Sequence, residues 1–496
     1  MSSRTDAERP DPIEPPPWDE ANRWLVLVIV CLAQFMVILD ATVVNVALPS
    51  IQRDLEFSAA DLQWVINGYT LVFGGFLLLG GRAGDLIGRR KVFVAGVVVF
   101  TFASLLNGLA TSSGFLVASR ALQGLGGALV SPAALSIITT TFAEGSDRTK
   151  ALGVWSAIAS GGGAFGLLLG GILTDAFSWE WIFFVNVPIG IATVALAMRL
   201  VPESRAAQRQ ATADIPGAVS VTAGLVVLVY AIVKAEDFGW GSARTLGLAA
   251  IAVALLAMFV LIESRSPAPL IRLSIFRVRS LLGANSVMLV VAGGLFAFFF
   301  FSSLYVQQIL GYSPLKAGLA FLPVTAGIMT GAILAQQLVK RMGVRAVAVL
   351  GMVVAAAGLL ILSTASVDGS YVGDILPGLI PQSVGMGLTF VPVTLIATTN
   401  VASEDAGLAS GLFNTAQQVG GALGLAVLST LAADKTASVI AGSGRQAQAQ
   451  ALVDGFNVAF LSGALLILAG VVLILLLVRR SDVANVNPEA APVPSA

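Results

Sequence analysis

Residues 24–46 read WLVLVIVCLAQFMVILDATVVNV, an apolar run whose single charged side chain is Asp40. About 20 apolar residues in a helix cross the hydrocarbon core of a bilayer, so this stretch predicts a transmembrane helix. A carboxylate inside such a segment costs at least a few kcal/mol and normally faces a bundle interior or a water-filled cavity. Asp40 is therefore the first candidate functional residue of the chain.

The composition of the whole chain indicates a polytopic membrane protein. Of its 496 residues, 56% are hydrophobic and 11% are charged, whereas soluble domains carry about 25% charged residues. Apolar windows near 20 residues favour an α-helical bundle over a β-barrel, whose strands span about 10 residues. The zero net charge gives no sign of nucleic-acid binding. A single cysteine, Cys31, excludes an internal disulfide and offers no metal cluster, and the absence of histidine leaves proton chemistry to Asp and Glu.

Fourteen apolar windows predict fourteen spans. Their approximate limits are 24–46, 62–80, 91–110, 114–138, 151–173, 182–201, 216–234, 245–262, 281–302, 314–338, 345–365, 374–398, 407–431 and 454–478. With both termini inside, the cytoplasmic loops and tails hold 21 Lys and Arg residues and the outer loops hold six. Because Lys and Arg accumulate on the cytoplasmic side, this bias predicts a multi-pass cell-membrane protein with both termini in the cytoplasm.

Polar stretches divide the chain into segments. Residues 1–22 are Pro-rich and acidic, which predicts a disordered cytoplasmic tail. Polar loops on either side of spans 7 and 8 predict a two-helix insert with its linkers at 202–280, between six-helix bundles at 23–201 and 281–478; a cytoplasmic tail follows at 479–496. Each bundle has a basic loop between its second and third spans, at 81–91 and 340–345, as a parallel internal duplication would produce.

Several motifs resemble those of one transporter family. The loop GRAGDLIGRRK, residues 81–91, looks like the signature between spans 2 and 3 of the major facilitator superfamily, with Gly81, Asp85, Gly88, Arg89 and Arg90 at the motif positions. LDATVVNVALP at 39–49, RALQG at 120–124, the glycine-rich span 5 and YVQQILGYSP at 305–314 resemble the fourteen-span drug:proton antiporters of that superfamily. The resemblance implies the major facilitator fold and alternating access driven by the proton motive force, without a cofactor. We expect a monomer that binds protons, a small amphipathic molecule and lipid.

The resemblance also assigns a role to the glycines of span 5. Gly162, Gly166 and Gly170 recur every four residues and share one helix face, which lets another backbone approach closely. Spacing alone is explained equally well by plain helix packing, but the resemblance implies an antiporter signature formed by these three with Gly153. Leu167 stands where that signature has a proline, which removes an expected kink and leaves the direction of transport open.

A cytoplasmic gate is the second role that the resemblance implies. In the family, the loop containing Gly81, Asp85, Gly88 and Arg89 grips the start of the penultimate span, here span 13. The charges agree with such a gate. Glu404 and Asp405 precede span 13, whereas Glu144 and Asp147 precede span 5 and could face Lys340, Arg341 and Arg345. Exposed ion pairs contribute only about 0–1 kcal/mol each, which suits a gate that must open.

The deepest charges are Asp40 and Arg120. Asp40 lies about 24 Å from the inner end of span 1, and Arg120 lies about 9 Å from the outer end of span 4, so both fall in the outer third of a core roughly 30 Å thick. We therefore expect them to meet and to carry proton coupling. Protonation of Asp40 would compete with a cationic substrate for the same carboxylate. The alternative is a static pair that only neutralises two buried charges.

Candidate substrate contacts are polar or aromatic residues inside spans, namely Asn67, Gln123, Trp155, Phe299, Gln336, Asn414 and Gln417. Each polar side chain among them could equally form an interhelical hydrogen bond. Because spans 9–14 contain no acid in mid-membrane, we expect monovalent cations, zwitterions or neutral amphiphiles as substrates.

The predicted function is proton-coupled export of amphipathic drugs or natural products. The alternatives are a dedicated exporter of one endogenous metabolite, a proton-coupled nutrient symporter, and a membrane sensor or scaffold that transports nothing. An enzyme is not expected, because no phosphate loop, metal cluster or nucleophile–base constellation stands out in the sequence.

Overall fold

The computed structural model describes residues 20–142, 145–205, 214–267, 269–401, 405–443 and 448–483. These ranges are almost entirely helical, as expected where no water is present to pair with exposed backbone groups. The helices are α1 Glu20–Asp54, α2 Trp64–Ile87, α3 Arg89–Gly108, α4 Ser113–Thr141, α5 Ser146–Ala176, α6 Trp181–Phe184, α7 Asn186–Leu200, α8 Ile215–Phe238, α9 Ala243–Arg265, α10 Arg279–Leu304, α11 Pro314–Ala320, α12 Leu322–Met342, α13 Val344–Leu362, α14 Leu376–Thr398, α15 Ala406–Ser443 and α16 Gln448–Leu477. The predicted tails at 1–22 and 479–496 lie largely outside these ranges.

The helical spans agree with the predicted all-α membrane fold. Within the described residues, thirteen segments are long and apolar enough to cross a membrane. The predicted span 5 coincides with α5, in which Phe165–Ala176 is an apolar stretch shorter than those thirteen. Two predicted spans are interrupted: span 6 forms α6 and α7, and span 10 forms α11 and α12. A proline lies in the first turn after each break, Pro188 and Pro323, where a missing N–H is tolerated.

Small residues bring the helices of each bundle together. In the first bundle α2 and α3 pack on α4, and α1 packs on α5; in the second, α13 and α12 pack on α14, and α10 packs on α15 and α16. A Cβ at Gly80 of α2 would overlap the backbone of Ala128 in α4, and a Cβ at Gly331 of α12 would overlap that of Val384 in α14. Backbone contact of this kind is what allows tight packing inside a membrane, where apolar side chains gain little by leaving lipid.

The two bundles meet along α2 and α15, where Thr415 Oγ1 donates to Gly74 O at 3.3 Å, and also at one end of the molecule. We call the end that carries the α1–α2 and α10–α11 connections the distal end, and the end that carries the α2–α3 connection the proximal end. Hydrogen bonds join the bundles distally from Ser303 Oγ to Asn45 O (2.6 Å), from Gln307 Nε2 to Val46 O (2.9 Å) and from Gln308 Nε2 to Gln52 Oε1 (2.8 Å). The YVQQILGYSP motif at 305–314 therefore forms part of a closed distal contact. Gly171 of α5 adds to it by lying against the backbone of Pro314 and Leu315.

The inserted helices α8 and α9 form a hairpin beside the seam between the bundles. α8 packs against α2 on one side and α15 on the other, and α9 packs chiefly on α8. Buried apolar residues of α2, α8 and α15 form one cluster, made of Leu71, Leu225, Val229, Val233, Val419, Ala422 and Ala426. The hairpin thus touches both halves of the protein.

Candidate coupling site

Asp40 of α1 and Arg120 of α4 form a buried ion pair. Arg120 Nη1 lies 2.5 Å from Asp40 Oδ2, and the two side chains are 2% and 0% exposed. The helical-rise argument that placed both residues at the same depth is thus matched by the geometry. Removing either partner of a buried pair typically costs about 3–5 kcal/mol, because it leaves an uncompensated charge.

Arg120 has several partners besides the carboxylate. Its Nε donates to the backbone oxygen of Val65 at 3.0 Å, and its Nη1 also donates to Gln123 Oε1 at 2.6 Å. The guanidinium carbon lies 4.5 Å from the centre of the Tyr69 ring, a cation–π contact, and 5.7 Å from that of Phe183. The position of Arg120 is therefore fixed from four directions and does not depend on Asp40 alone.

Asp40 accepts two further hydrogen bonds from amides. Gln123 Nε2 donates to Asp40 Oδ1 at 2.7 Å, and Asn186 Nδ2 donates to the same oxygen at 3.1 Å. Both amides also donate to Ser104 Oγ, and Asn107 Nδ2 donates to Gln123 Oε1 at 2.6 Å. These side chains come from α3, α4 and α7, so four helices of the first bundle converge on one carboxylate.

Sequence reasoning missed three members of this network: Ser104, Asn107 and Asn186. Gln123 was placed among the substrate contacts, whereas it lies fully buried as the bridge between Asp40, Arg120 and Asn107. The available signal was an uncharged polar side chain inside an apolar window, which normally finds an interhelical partner. A polar residue in an apolar window can be recognised from the sequence, but its hydrogen-bond partner cannot. The position of a residue along a helix gives its depth in the membrane and does not give the direction in which its side chain points.

The glycines of α5 lie against the part of α1 that carries Asp40. A Cβ at Gly162 would meet Ile38, one at Gly166 would overlap the Thr42 hydroxyl, and one at Gly170 would lie 2.9 Å from the Val43 backbone oxygen. Gly153, grouped with them from the resemblance, has open space around it and lies outside this contact. Three of the four glycines therefore place the α5 backbone directly beside residues 38–43.

The 81–91 motif, predicted as a loop, forms the end of α2 and the start of α3, which are joined through Gly88, and it makes contacts within the first half of the chain. Asp85 Oδ1 lies 3.2 Å from Arg89 Nη2, four residues along the chain, and the Arg89 backbone N–H donates to Ser204 O at 2.9 Å. Gly88 has φ +122°, and a Cβ there would clash with Glu203. Gly81 lies in ordinary contact distance of the Pro132 side chain, at 3.6 Å from its Cβ.

Two acids of the predicted cross-pairing between the proximal loops have local partners in this conformation. Asp405 at the start of α15 lies 3.2 Å from Arg272 of the α9–α10 linker, and Asp147 lies 3.6 Å from Lys150 of its own helix. Glu144 and Glu404 fall outside the described residues. Asp405 thus has a partner other than the basic 81–91 motif expected for a closed proximal gate.

The remaining substrate candidates occupy two kinds of environment. Asn67 is buried beside Gln63, and Trp155 is buried among apolar residues of the first bundle. Phe299, Asn414 and Gln417 are half-buried and Gln336 is exposed. Phe299 contacts the rings of Phe298 and Phe321, at 5.1 and 6.4 Å between ring centres. Their part in substrate binding stays a prediction.

Comparison with solved structures supports the fold. The chain aligns with an inward-facing, unoccupied bacterial homologue of the human lysosomal transporter Spinster, with a TM-score of 0.66, 16% identity and coverage of 94% of this chain and 98% of that one. A POT family transporter, PepTSo, aligns with a TM-score of 0.66 over 92% of this chain and 98% of its own. At 16% identity these matches establish the fold alone.

Comparison of sequences gives the family. A puromycin resistance protein of Streptomyces alboniger is 41% identical over 96% of this chain and 95% of its own length. A cephamycin export protein of Amycolatopsis lactamdurans is 42% identical over 90% and 91%, and a tetracenomycin C resistance and export protein of Streptomyces glaucescens is 37% identical over 84% and 77%. Residues 30–425 match the Major Facilitator Superfamily. The motif resemblance is thereby confirmed, and the chain belongs to the Major Facilitator Superfamily, a family of membrane transporters rather than enzymes.

Proposed function

We propose that the protein is a proton-coupled secondary exporter of amphipathic drugs or natural products, working by alternating access with both termini in the cytoplasm. Export is supported by relatives near 40% identity that are named as resistance or export proteins. Proton coupling is supported by one observation above all, the buried Asp40–Arg120 pair. Intramembrane ionisable pairs are costly, and they usually mark ion or proton pathways.

The network can hold Asp40 in either protonation state. If Asp40 takes up a proton, Arg120 keeps the Val65 carbonyl, the Gln123 carbonyl and the Tyr69 ring as partners. A protonated carboxyl also needs an acceptor for its O–H. Asn186 Oδ1 is buried without a hydrogen-bond partner, and a half-turn of that amide would present it to Asp40 in place of the N–H. These alternative partners support a proton-binding role for Asp40 over a static ion pair.

Protons and substrate exclude each other through conformation in this proposal. Asp40 is fully buried and accepts bonds from three side chains, so a substrate has no access to its carboxylate while the distal end is closed. This replaces the expectation of direct competition for the carboxylate. The glycine face of α5 lies on residues 38–43, so a rocking motion that shifts α5 also shifts the α1 backbone around Asp40. Proton binding then biases which end of the transporter opens.

The charge distribution bears on the substrate. Asp40 and Arg120 neutralise each other in the first bundle, and the acids of α10–α16 within the described residues lie toward helix ends. A substrate in mid-membrane therefore meets no uncompensated carboxylate. Monovalent cations, zwitterions and neutral amphiphiles fit this environment better than dications. A single endogenous product and a broad set of drugs both satisfy it.

The direction of transport can be tested in inside-out membrane vesicles. With an inside-acid proton gradient, vesicles containing the protein should accumulate ethidium or puromycin above vesicles without it, and a protonophore should abolish the difference. Accumulation driven instead by an outside-acid gradient in right-side-out vesicles, where proton and substrate enter together, would identify a proton-coupled symporter. If no flux of either probe occurs in either orientation while labelled puromycin still binds, the sensor or scaffold alternative gains support and the export proposal fails.

A further inference from the structure

The α8–α9 hairpin contacts the two bundles in chemically different ways. Toward the first bundle it makes specific contacts: Lys234 Nζ lies 3.0 Å from Asp61 Oδ1 in the α1–α2 connection, and the Tyr230 ring lies 6.4 Å from that of Trp64 at the start of α2. The Thr222 hydroxyl occupies a notch at Gly75, where an added Cβ would overlap it. These three contacts are distributed along α8, so its register against the first bundle is fixed.

Toward α15 the contacts are apolar and smooth. The buried residues on the α15 side of the shared cluster are Val419, Ala422 and Ala426, and the partly buried Leu423 packs against the cluster beside them; all four side chains are apolar. The polar contact is a 3.4 Å hydrogen bond from Thr430 Oγ1 to Ile232 O, and this hydroxyl also donates to its own helix, to Ala426 O at 2.9 Å. A shared bond at that length is weak. Small residues in a membrane interface permit displacement without loss of a directed interaction.

We propose that the hairpin moves with the first bundle and that α15 slides along α8 when the bundles rock. This inference rests on alternating access as proposed above. Moving α8 away from the first bundle would break the Lys234–Asp61 ion pair and withdraw Thr222 from its position against Gly75. Sliding α15 along α8 would only replace one apolar contact by another. The hairpin then covers the seam between α2 and α15 throughout the cycle and denies lipid-borne molecules entry on that side.

Reversible cross-linking tests the proposal in the Cys31→Ser background with a short bifunctional methanethiosulfonate reagent. The first pair, Asp61→Cys with Lys234→Cys, ties the hairpin to the first bundle. The matched pair, Ile232→Cys with Thr430→Cys, ties the same part of α8 to α15. Gln52→Cys with Gln308→Cys ties the two bundles to each other distally. Transport by each variant is compared before cross-linking, after it, and after reduction.

We expect the 61–234 link to leave at least half of the transport rate and the 232–430 link to lower it at least tenfold, with recovery on reduction. Inhibition by the 61–234 link, or full activity with the 232–430 link, would overturn the proposal. Trp64→Cys with Tyr230→Cys provides a second pair to the first bundle if loss of the ion pair impairs folding. The 52–308 link must block transport if access alternates; an active 52–308 cross-link would contradict the transport mechanism itself, separately from the hairpin.

Discussion

At the scale of single residues, the Asp40 carboxylate is the group on which the energetics of the first bundle depend. Breaking a buried pair costs about 3–5 kcal/mol, whereas replacing both charges by neutral groups of similar shape is often neutral for stability. Arg120 retains the Val65 carbonyl and the Tyr69 ring when the carboxylate is neutral. Loss of function on neutralising Asp40 can therefore be separated from loss of folding.

Asp40→Asn should abolish accumulation driven by a proton gradient in proteoliposomes, because the carboxylate that we propose as the proton site is removed. Exchange of substrate down its own gradient should persist, since that step needs no net proton movement. The Asp40→Asn/Arg120→Gln double variant serves as the folding control and should match the wild type in thermal midpoint within a few degrees. Uphill accumulation by Asp40→Asn with a normal pH profile would place the proton site elsewhere.

A second residue-scale prediction compares two glycines of α5. Gly170→Ala places a Cβ 2.9 Å from the Val43 backbone oxygen, and overpacking of this kind typically costs about 1–3 kcal/mol. Gly153→Ala enters open space and should be neutral or stabilising by up to about 1 kcal/mol, the helix propensity gain of Ala over Gly. Thermal unfolding in detergent measures both. Equal midpoints for the two variants would mean that α5 does not pack on α1 as described.

The residues also show what the sequence alone could predict. The depth of a residue in the membrane follows from its position in the helix and the rise per residue, so the proximity of Asp40 and Arg120 could be predicted. Rotation about the helix axis is set by packing against neighbours. For that reason Gln123 was placed near substrate, although its amide is fully occupied inside the bundle, and Asn186 was not recognised as a ligand of the carboxylate.

At the scale of elements, the 81–91 motif at the junction of α2 and α3 makes contacts within the first half of the chain. The Asp85–Arg89 pair is partly exposed and contributes on the order of 0–1 kcal/mol, so it can exchange partners as the proximal ends approach. The resemblance implied a grip on the start of α15, and Asp405 is paired with Arg272 instead. A sequence motif can identify the residues of a gate, but it does not show in which conformation of the transporter those residues are in contact.

Asp85→Asn should slow transport several-fold while leaving substrate affinity within about twofold, because the change affects closure of the proximal end and lies far from the Asp40 network. Initial rates and equilibrium binding of labelled puromycin, measured on the same preparations, separate the two effects. Asp454→Asn, which alters a partly exposed carboxylate that accepts from Gln450 near the start of α16, is the matched control and should behave like the wild type. An unchanged rate for Asp85→Asn at equal protein amount would rule out a gating role.

Helix limits were predictable only where composition changes sharply. The window for span 13 ended at residue 431, yet α15 continues to Ser443, because the Ala-rich stretch that follows is less apolar but still favours helix. The breaks at Val185 and Phe321 fall inside apolar windows, which hydropathy does not resolve. The prolines that follow these breaks, Pro188 and Pro323, are present in the sequence and indicate where the helices are interrupted.

At the scale of the whole molecule, the orientation in the membrane rests on the distribution of Lys and Arg. Arg341 at the proximal end and Lys435 in the distal part of α15 are both exposed. In the Cys31→Ser background, Lys435→Cys should react with a membrane-impermeant maleimide added to intact cells, and Arg341→Cys should react only after permeabilisation. The reverse pattern would invert the proposed topology and, with it, the direction of transport.

The hairpin has a practical consequence for purification. Only 11% of the apolar window of α9 is buried within the protein, against 72% for α1, so surrounding acyl chains supply most of the packing around α9. A short-chain detergent that strips bound lipid removes that packing first. The hairpin should then become sensitive to protease while the Asp40 network, deep in the first bundle, stays intact. A monodisperse, thermally stable sample can consequently have lost the packing of the α8–α9 hairpin over the seam between α2 and α15. The motion of the hairpin during transport should therefore be measured in native-lipid nanodiscs.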